Sequence, residues 1–138
     1  MSLVLDPSTA LSWYFEDECS AADALLDRVA ADGAVVPSLW RLEIANGLQT
    51  ALRRGRIDRA FRDRTLAELA RMPITIDPET DSYAWTNTLQ LADRFRLTVY
   101  DAAYLELAQR RCLPLATLDK PLRAAAGTLG ITLLGEIA

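Results

Sequence analysis

Apolar residues in this chain come in short runs separated by longer amphipathic stretches. Leu3 to Leu5, Ala34 to Val36, Ile74 to Ile76, Leu115 to Thr117 and Ile131 to Leu134 are rich in leucine or β-branched residues, the pattern of strands buried on both faces. Between them the apolar residues recur at helical spacing, as in Leu25, Leu26, Val29 and Ala30, and again in Tyr104, Leu105, Leu107 and Ala108. Strand alternating with helix predicts an α/β fold: a five-stranded parallel sheet flanked by helices. The punctuation agrees. Ser20 is placed to cap a helix running to Asp32 and ended by Gly33, and Asp58 to cap the helix after Gly55. Pro37, Pro73, Pro78 and Pro114 stand at strand boundaries, where a missing N–H is tolerated. Residues 38–73 and 79–113 each have room for a pair of helices, with Trp40, Leu48, Leu52, Trp85 and Leu89 as residues to bury. Such pairs predict a wall beside the sheet or a dimer surface.

Composition narrows the function more than the fold. The 138 residues, 51% of them hydrophobic, fit one domain over residues 1–138 with a single core. No run approaches the roughly 20 apolar residues of a membrane helix, so no membrane partner is expected. The start, Met1 to Asp6, has no basic segment and meets an acid and a proline early, unlike a signal peptide, and the expected location is cytoplasmic. Cys19 and Cys112 are far apart and without partners at metal-ligand spacing, so both are expected as buried thiols. The chain has no histidine, which excludes Ser-His-Asp and Cys-His catalysis and every histidine-ligated zinc site. Nineteen Asp and Glu residues remain, the hard oxygen ligands that suit magnesium and manganese.

In an open parallel sheet, ligands bind beyond the carboxyl ends of the strands where the strand order reverses. Asp6, Asp77 and Asp119 each follow a strand run. If the first and fourth strands are central neighbours, Asp6 and Asp119 meet, whereas Asp77 ends a strand expected near an edge and is set aside. Asp101 stands at the N-terminus of a helix, where it is either a cap or a site acid. Glu43 lies inside a helix, with Trp40, Asn46, Gly47 and Thr50 expected on its face. It is either a half-exposed glutamate beside a packing glycine or a ligand. Gly47 costs about 1 kcal/mol there relative to alanine, which predicts a close approach by another group. Gathered carboxylates repel one another, and a divalent ion relieves that repulsion. Ser8, Asn46 and Thr117 are placed to orient the carboxylates or to bond metal-bound water.

Together these segments resemble the PIN-domain family, specifically the VapC-type toxins of toxin–antitoxin pairs. Val4-Leu5-Asp6-Pro7-Ser8 is similar to the family's opening strand, and Leu42-Glu43-Ile44-Ala45-Asn46 to its glutamate helix. Leu97 to Leu105, around Asp101, resembles the third acidic motif, and Leu115-Ala116-Thr117-Leu118-Asp119 the fourth. The resemblance implies a Mg2+ or Mn2+ centre on Asp6, Glu43, Asp101 and Asp119, endoribonuclease activity on RNA, a cognate antitoxin and a homodimer.

Net charge is −4, yet Arg53, Arg54, Arg56, Arg59, Arg62 and Arg64 form one basic stretch. It is either a solvated face with local ion pairs to Asp58 and Asp63, or a contact for RNA or antitoxin, with Arg53, Arg54 and Arg56 as candidates. Trp13, Tyr14 and Phe15 are expected as core or antitoxin groove rather than as base-stacking residues. The competing readings are a non-catalytic PIN-like module that binds RNA or protein, and a magnesium-dependent receiver domain. The receiver pattern fits poorly, because Asp6 is followed by Pro7 and Ser8 and the sole lysine, Lys120, directly follows Asp119.

Overall fold

The computed structural model describes residues 2–15 and 20–135. The five apolar runs become β1 (Leu3–Leu5), β2 (Ala34–Val36), β3 (Ile74–Ile76), β4 (Leu115–Ala116) and β5 (Leu133–Leu134). All neighbours pair in parallel in the order β3-β2-β1-β4-β5, so β1 is central and β3 and β5 are edges. β1, β2 and β4 are fully buried, as uninterrupted apolar runs in a covered parallel sheet require. β4 and β5 are shorter than the runs predicting them. Thr117 leaves the ladder with its carbonyl accepting from Arg123 at 2.7 Å, while its hydroxyl donates to the Asp6 carboxylate and accepts from the Asp119 N–H.

Eight helices join the strands among the described residues: α1 (Pro7–Phe15), α2 (Ser20–Asp32), α3 (Trp40–Arg53), α4 (Arg59–Ala70), α5 (Thr80–Tyr83), α6 (Asn87–Phe95), α7 (Val99–Arg111) and α8 (Lys120–Thr128). Asp58 caps α4 by accepting from the Phe61 N–H at 2.8 Å. Gly33 ends α2 at φ +82°, where a side chain would be strained and its Cβ would lie 3.0 Å from the Pro73 carbonyl oxygen. The prolines do more than tolerate the boundaries. The carbonyls of Pro73 and Pro114 accept from Ala34 and Val4, which sets the entry of the neighbouring strands. Cys19 and the side chain of Ser20 lie outside the described residues.

Three expectations need correction. Residues 79–113 hold three helical pieces rather than a pair, because the Thr80 hydroxyl bonds to the Asp77 carbonyl and carboxylate and accepts from the Ser38 N–H, which starts the extra turn α5. Trp85, in the turn between α5 and α6, is 89% exposed, Leu89 is exposed and Leu52 half-buried, so only Trp40 and Leu48 of the five apolar residues are buried. Cys112 is exposed, because it ends α7 at φ +55°, a turn position that aims it outward. No helix among the described residues is long and apolar enough to cross a membrane.

α7 carries a long buried stretch. Ala102 to Ala108 are all shielded from solvent, and the helix lies across β1 and β4 with α6 along its flank. Its far end is fastened by ions. Arg110 bonds to Asp77 at 2.6 Å, to Glu106 at 2.7 Å and to Glu79 at 3.1 Å, and Arg111 reaches Asp77 at 2.9 Å. Burial alone would raise the Asp77 carboxyl, but the hydrogen bonds from Arg110, the Glu79 backbone and Arg111 and the charge of Arg110 hold it below the usual range.

Two substitutions test these joints. Gly33→Ala is expected to cost about 1–2 kcal/mol by denaturant unfolding, from the left-handed backbone and the clash with Pro73. Asp77→Ala, which leaves Arg110 with a broken network at a side chain with 0% exposure, is expected to cost about 3 kcal/mol. Because the folded carboxyl lies below its unfolded value, this stabilisation is present above the ordinary aspartate range and is lost as pH falls below it. The gap in Tm between parent and variant should therefore narrow in acid.

Candidate metal centre

The site is built from the β1–β4 pairing outward. Val4 and Leu5 lie opposite Leu115 and Ala116, and the Asp6 N–H donates to the Ala116 carbonyl. This places the residues after both strands side by side. Asp6 opens α1: its carbonyl accepts from Thr9 and Ala10, and Pro7 takes the first helical position, where no N–H is needed. Asp6 Oδ2 accepts from the Ser8 hydroxyl at 2.5 Å, the Ser8 N–H at 3.3 Å and the Thr117 hydroxyl at 3.0 Å. Ser8 and Thr117 also serve the facing strand end. Ser8 Oγ accepts from Leu118 and Thr117 Oγ1 from Asp119, each at 3.1 Å. Asp119 itself caps α8, its Oδ2 accepting from Leu122 at 2.9 Å.

Asp101 is not the cap of its helix. Thr98 is, its hydroxyl accepting from the Asp101 N–H at 3.1 Å, which puts Asp101 on the third residue of α7. The Thr-x-x-acid spacing of Thr98 and Asp101 is the sequence sign of this arrangement. One turn further along, Tyr104 is fully buried and its hydroxyl donates to Glu43 Oε1 at 2.5 Å. Sequence reasoning takes Tyr104 as core spacing only; its position three after Asp101, on the same helical face, is the available signal.

On α3, Gly47 is where another chain segment comes close, since a Cβ there would meet Leu11 Cδ1 of α1 at 2.7 Å. That contact seats the glutamate helix against the helix beginning at Asp6. Glu43, Asn46 and Gly47 share a cleft of about 470 Å³ with Pro7, Leu39, Leu42 and Tyr100. Trp40 does not share it. It turns into the core and lines another cleft with Ile44, Leu69 and Ile74, on the side where α3 packs against α4. No hydrogen bond joins Asn46 to the four acids among the described residues.

Asp6, Glu43 and Asp101 are all raised above the ordinary carboxyl range. For Asp6 burial is the main cause, opposed by the Ser8 and Thr117 hydrogen bonds and reinforced by the charge of Asp101. For Glu43 burial again leads, opposed by Tyr104 and reinforced by Asp6 and Asp101. For Asp101 burial is followed by the charge of Asp119, with Thr98 opposing. The four acids thus feel one another as like charges. Among the described residues no arginine or lysine forms an ion pair with any of them, in contrast with Asp77 and Glu106, which Arg110 neutralises.

A hard divalent cation fits this donor set. The donors are carboxylate oxygens, and Asp6, Glu43 and Asp119 each engage one oxygen in the hydrogen bonds just described. Among the described residues no three His, Cys, Asp or Glu side chains stand close enough together to hold an ion as they are placed.

Known proteins share this architecture. The PIN domain family model matches residues 3–128. Ribonuclease VapC3 of Mycobacterium tuberculosis is 34% identical over 111 residues, which cover 79% of this chain and 74% of that protein. PAE2754 from Pyrobaculum aerophilum has the same fold with a TM-score of 0.69 at 26% identity, over 96% of this chain and 83% of that one. A toxin–antitoxin complex from Klebsiella pneumoniae matches in fold at a TM-score of 0.64 and 18% identity, over 98% of this chain and 99% of that one. A match across most of the length, joined to this level of identity with a relative, places the sequence as well as the fold in one lineage, and the chain belongs to the PIN domain family.

Proposed function

We propose that the chain is a divalent-metal-dependent endoribonuclease, the toxin of a toxin–antitoxin pair, working in the cytoplasm. The observation that carries the reading is the placement of Asp6 and Asp119 at the ends of the central strand pair, with the charge of Asp119 felt at Asp101 and that of Asp101 at Asp6 and Glu43, and with no cation paired to any of the four among the described residues. The likeness to a ribonuclease and to a toxin–antitoxin complex supplies the substrate and the partner. Intact acids argue against a non-catalytic binding module, and family membership argues against the receiver reading. Exposed Leu42 and Tyr100 at the Glu43 cleft, with Val99 and Trp85 also exposed, support a homodimer.

Asp6, Glu43, Asp101 and Asp119 would hold Mg2+ or Mn2+. When bound, the ion supplies Lewis acidity toward the phosphodiester and lowers the pKa of water. The chain's own work is orientation. Ser8 and Thr117 fix the Asp6 carboxylate from one side, Tyr104 fixes Glu43, and the α8 cap fixes Asp119. Thr117 and Ser8, which bond to both strand ends, hold Asp6 and Asp119 in a constant relation.

Purified protein freed of any antitoxin is expected to cleave RNA with Mn2+ or Mg2+, and excess chelator or Asp101→Asn should each lower the rate by more than about a hundredfold. No cleavage together with no divalent-ion binding would overturn the proposal. Without metal, Asp101→Asn should melt higher than the parent at neutral pH. A carboxyl raised on folding destabilises the fold when ionised, and that cost grows as pH climbs through the raised range. Tyr104→Phe removes one hydroxyl and is expected to weaken Mn2+ binding about 10–100-fold by calorimetry, the usual effect of losing a group that orients a ligand.

A further inference from the structure

The arginine stretch makes a second site with chemistry of its own. Phe15, at the end of α1, stacks on Phe61 of α4, with ring centroids 5.9 Å apart and planes 29° from parallel. The Arg56 guanidinium lies 5.5 Å over the Phe15 ring, and that of Arg64 lies 5.6 Å over Phe61. The four side chains line one open cleft of about 580 Å³ with Tyr14, Ile57 and Asp58. Both phenylalanines are half-buried, so Phe15 serves partly as the core residue expected and still faces the cleft.

Among the described residues these charges are not spent on carboxylates. Asp58 is occupied as the α4 cap and Asp63 pairs with Arg62 at 2.9 Å. Among the described residues no carboxylate pairs with Arg53, Arg54, Arg56, Arg59 or Arg64, and all five are exposed. The contrast is with Arg110, which also lies over an aromatic ring, Tyr83, but is saturated by three carboxylates. Unpaired guanidinium groups attract phosphates, while phenyl and guanidinium faces stack on bases of any identity. Glu16 to Glu18, which follow Phe15 in the sequence, lie outside the described residues.

We propose that the cleft of Phe15, Arg56, Phe61 and Arg64 binds single-stranded RNA, holding bases against its stacked faces and phosphates along its arginine rim. The inference rests on the ribonuclease reading and extends it. α1 starts beside Asp6 and reaches Phe15 after nine residues, a rise of about 12 Å, so a few nucleotides bridge the acid centre and the cleft. The cleft thus takes the part of the strand that flanks the cut.

The test is binding of a fluorescein-labelled single-stranded RNA decamer to the full chain in excess chelator, read by anisotropy over a series of salt concentrations. Arg56→Gln/Arg64→Gln should weaken binding and flatten the dependence of log K on log salt by about 1.4, the effect of two lost phosphate contacts. Phe61→Leu should weaken binding about tenfold with the salt slope unchanged, since stacking releases no counterion. Arg94→Gln, which removes a cation lying 4.7 Å over Phe95 outside the cleft, should bind as the parent does. An acidic decapeptide serves as the competing ligand. If the cleft variants bind RNA as the parent does, or lose only the peptide, the proposal is overturned. Because binding is measured without metal, that failure is separate from the loss of cleavage that would overturn the nuclease reading.

Discussion

Like charge gathered at one place is the constraint around which this fold is arranged. The pairing of β1 with β4 brings Asp6 and Asp119 together, α7 adds Asp101 and α3 adds Glu43, and the charges of Asp6, Asp101 and Asp119 each oppose the ionisation of a neighbouring acid. A core of apolar strands supplies the free energy to hold them there; each buried leucine or valine of β1 contributes roughly 1.5–3 kcal/mol relative to exposure. Polar side chains do the fine placement. Two hydroxyls, Ser8 and Thr117, bond to a carboxylate and to the facing backbone at once, so charge and strand order are fixed by the same atoms.

The molecule treats its two acid clusters in opposite ways. Asp77, Glu79 and Glu106 are closed around Arg110 and act as a fastening between α7 and the end of β3. The other four acids have hydroxyl and amide partners but no cation among the described residues. Position in the sheet separates them. Asp77 ends an edge strand, and Asp6 and Asp119 end the central pair where the chain direction of winding reverses.

Much of this was legible in the sequence, and for identifiable reasons. Fully buried parallel strands must be apolar throughout, so Leu3 to Leu5 and Ala34 to Val36 announced themselves, and acids following them were conspicuous. Gly47 was expected to admit a neighbour, and Leu11 is that neighbour. What the sequence hid was pairing at a distance. Tyr104 looks like any core aromatic until Glu43, 61 residues away, is seen beside its hydroxyl. Arg110 and Asp77 are likewise invisible as partners across 33 residues. Trp85 and Cys112 went the other way, because apolar character says that a residue is often buried, and the turns that carry these two point them outward.

The bond from Thr117 to Asp6 spans 111 residues. During synthesis the first acid of the centre leaves the ribosome long before the last, and β1 has no β4 to lie against until almost the whole described chain has been made. Local helices form early on such a path, while the long-range strand pairing forms late. For the ribonuclease proposed above this order has a useful result. The growing chain lacks Asp119 and the strand it follows until β4 has been made, so the proposed capacity to cut arises only after that strand has been added.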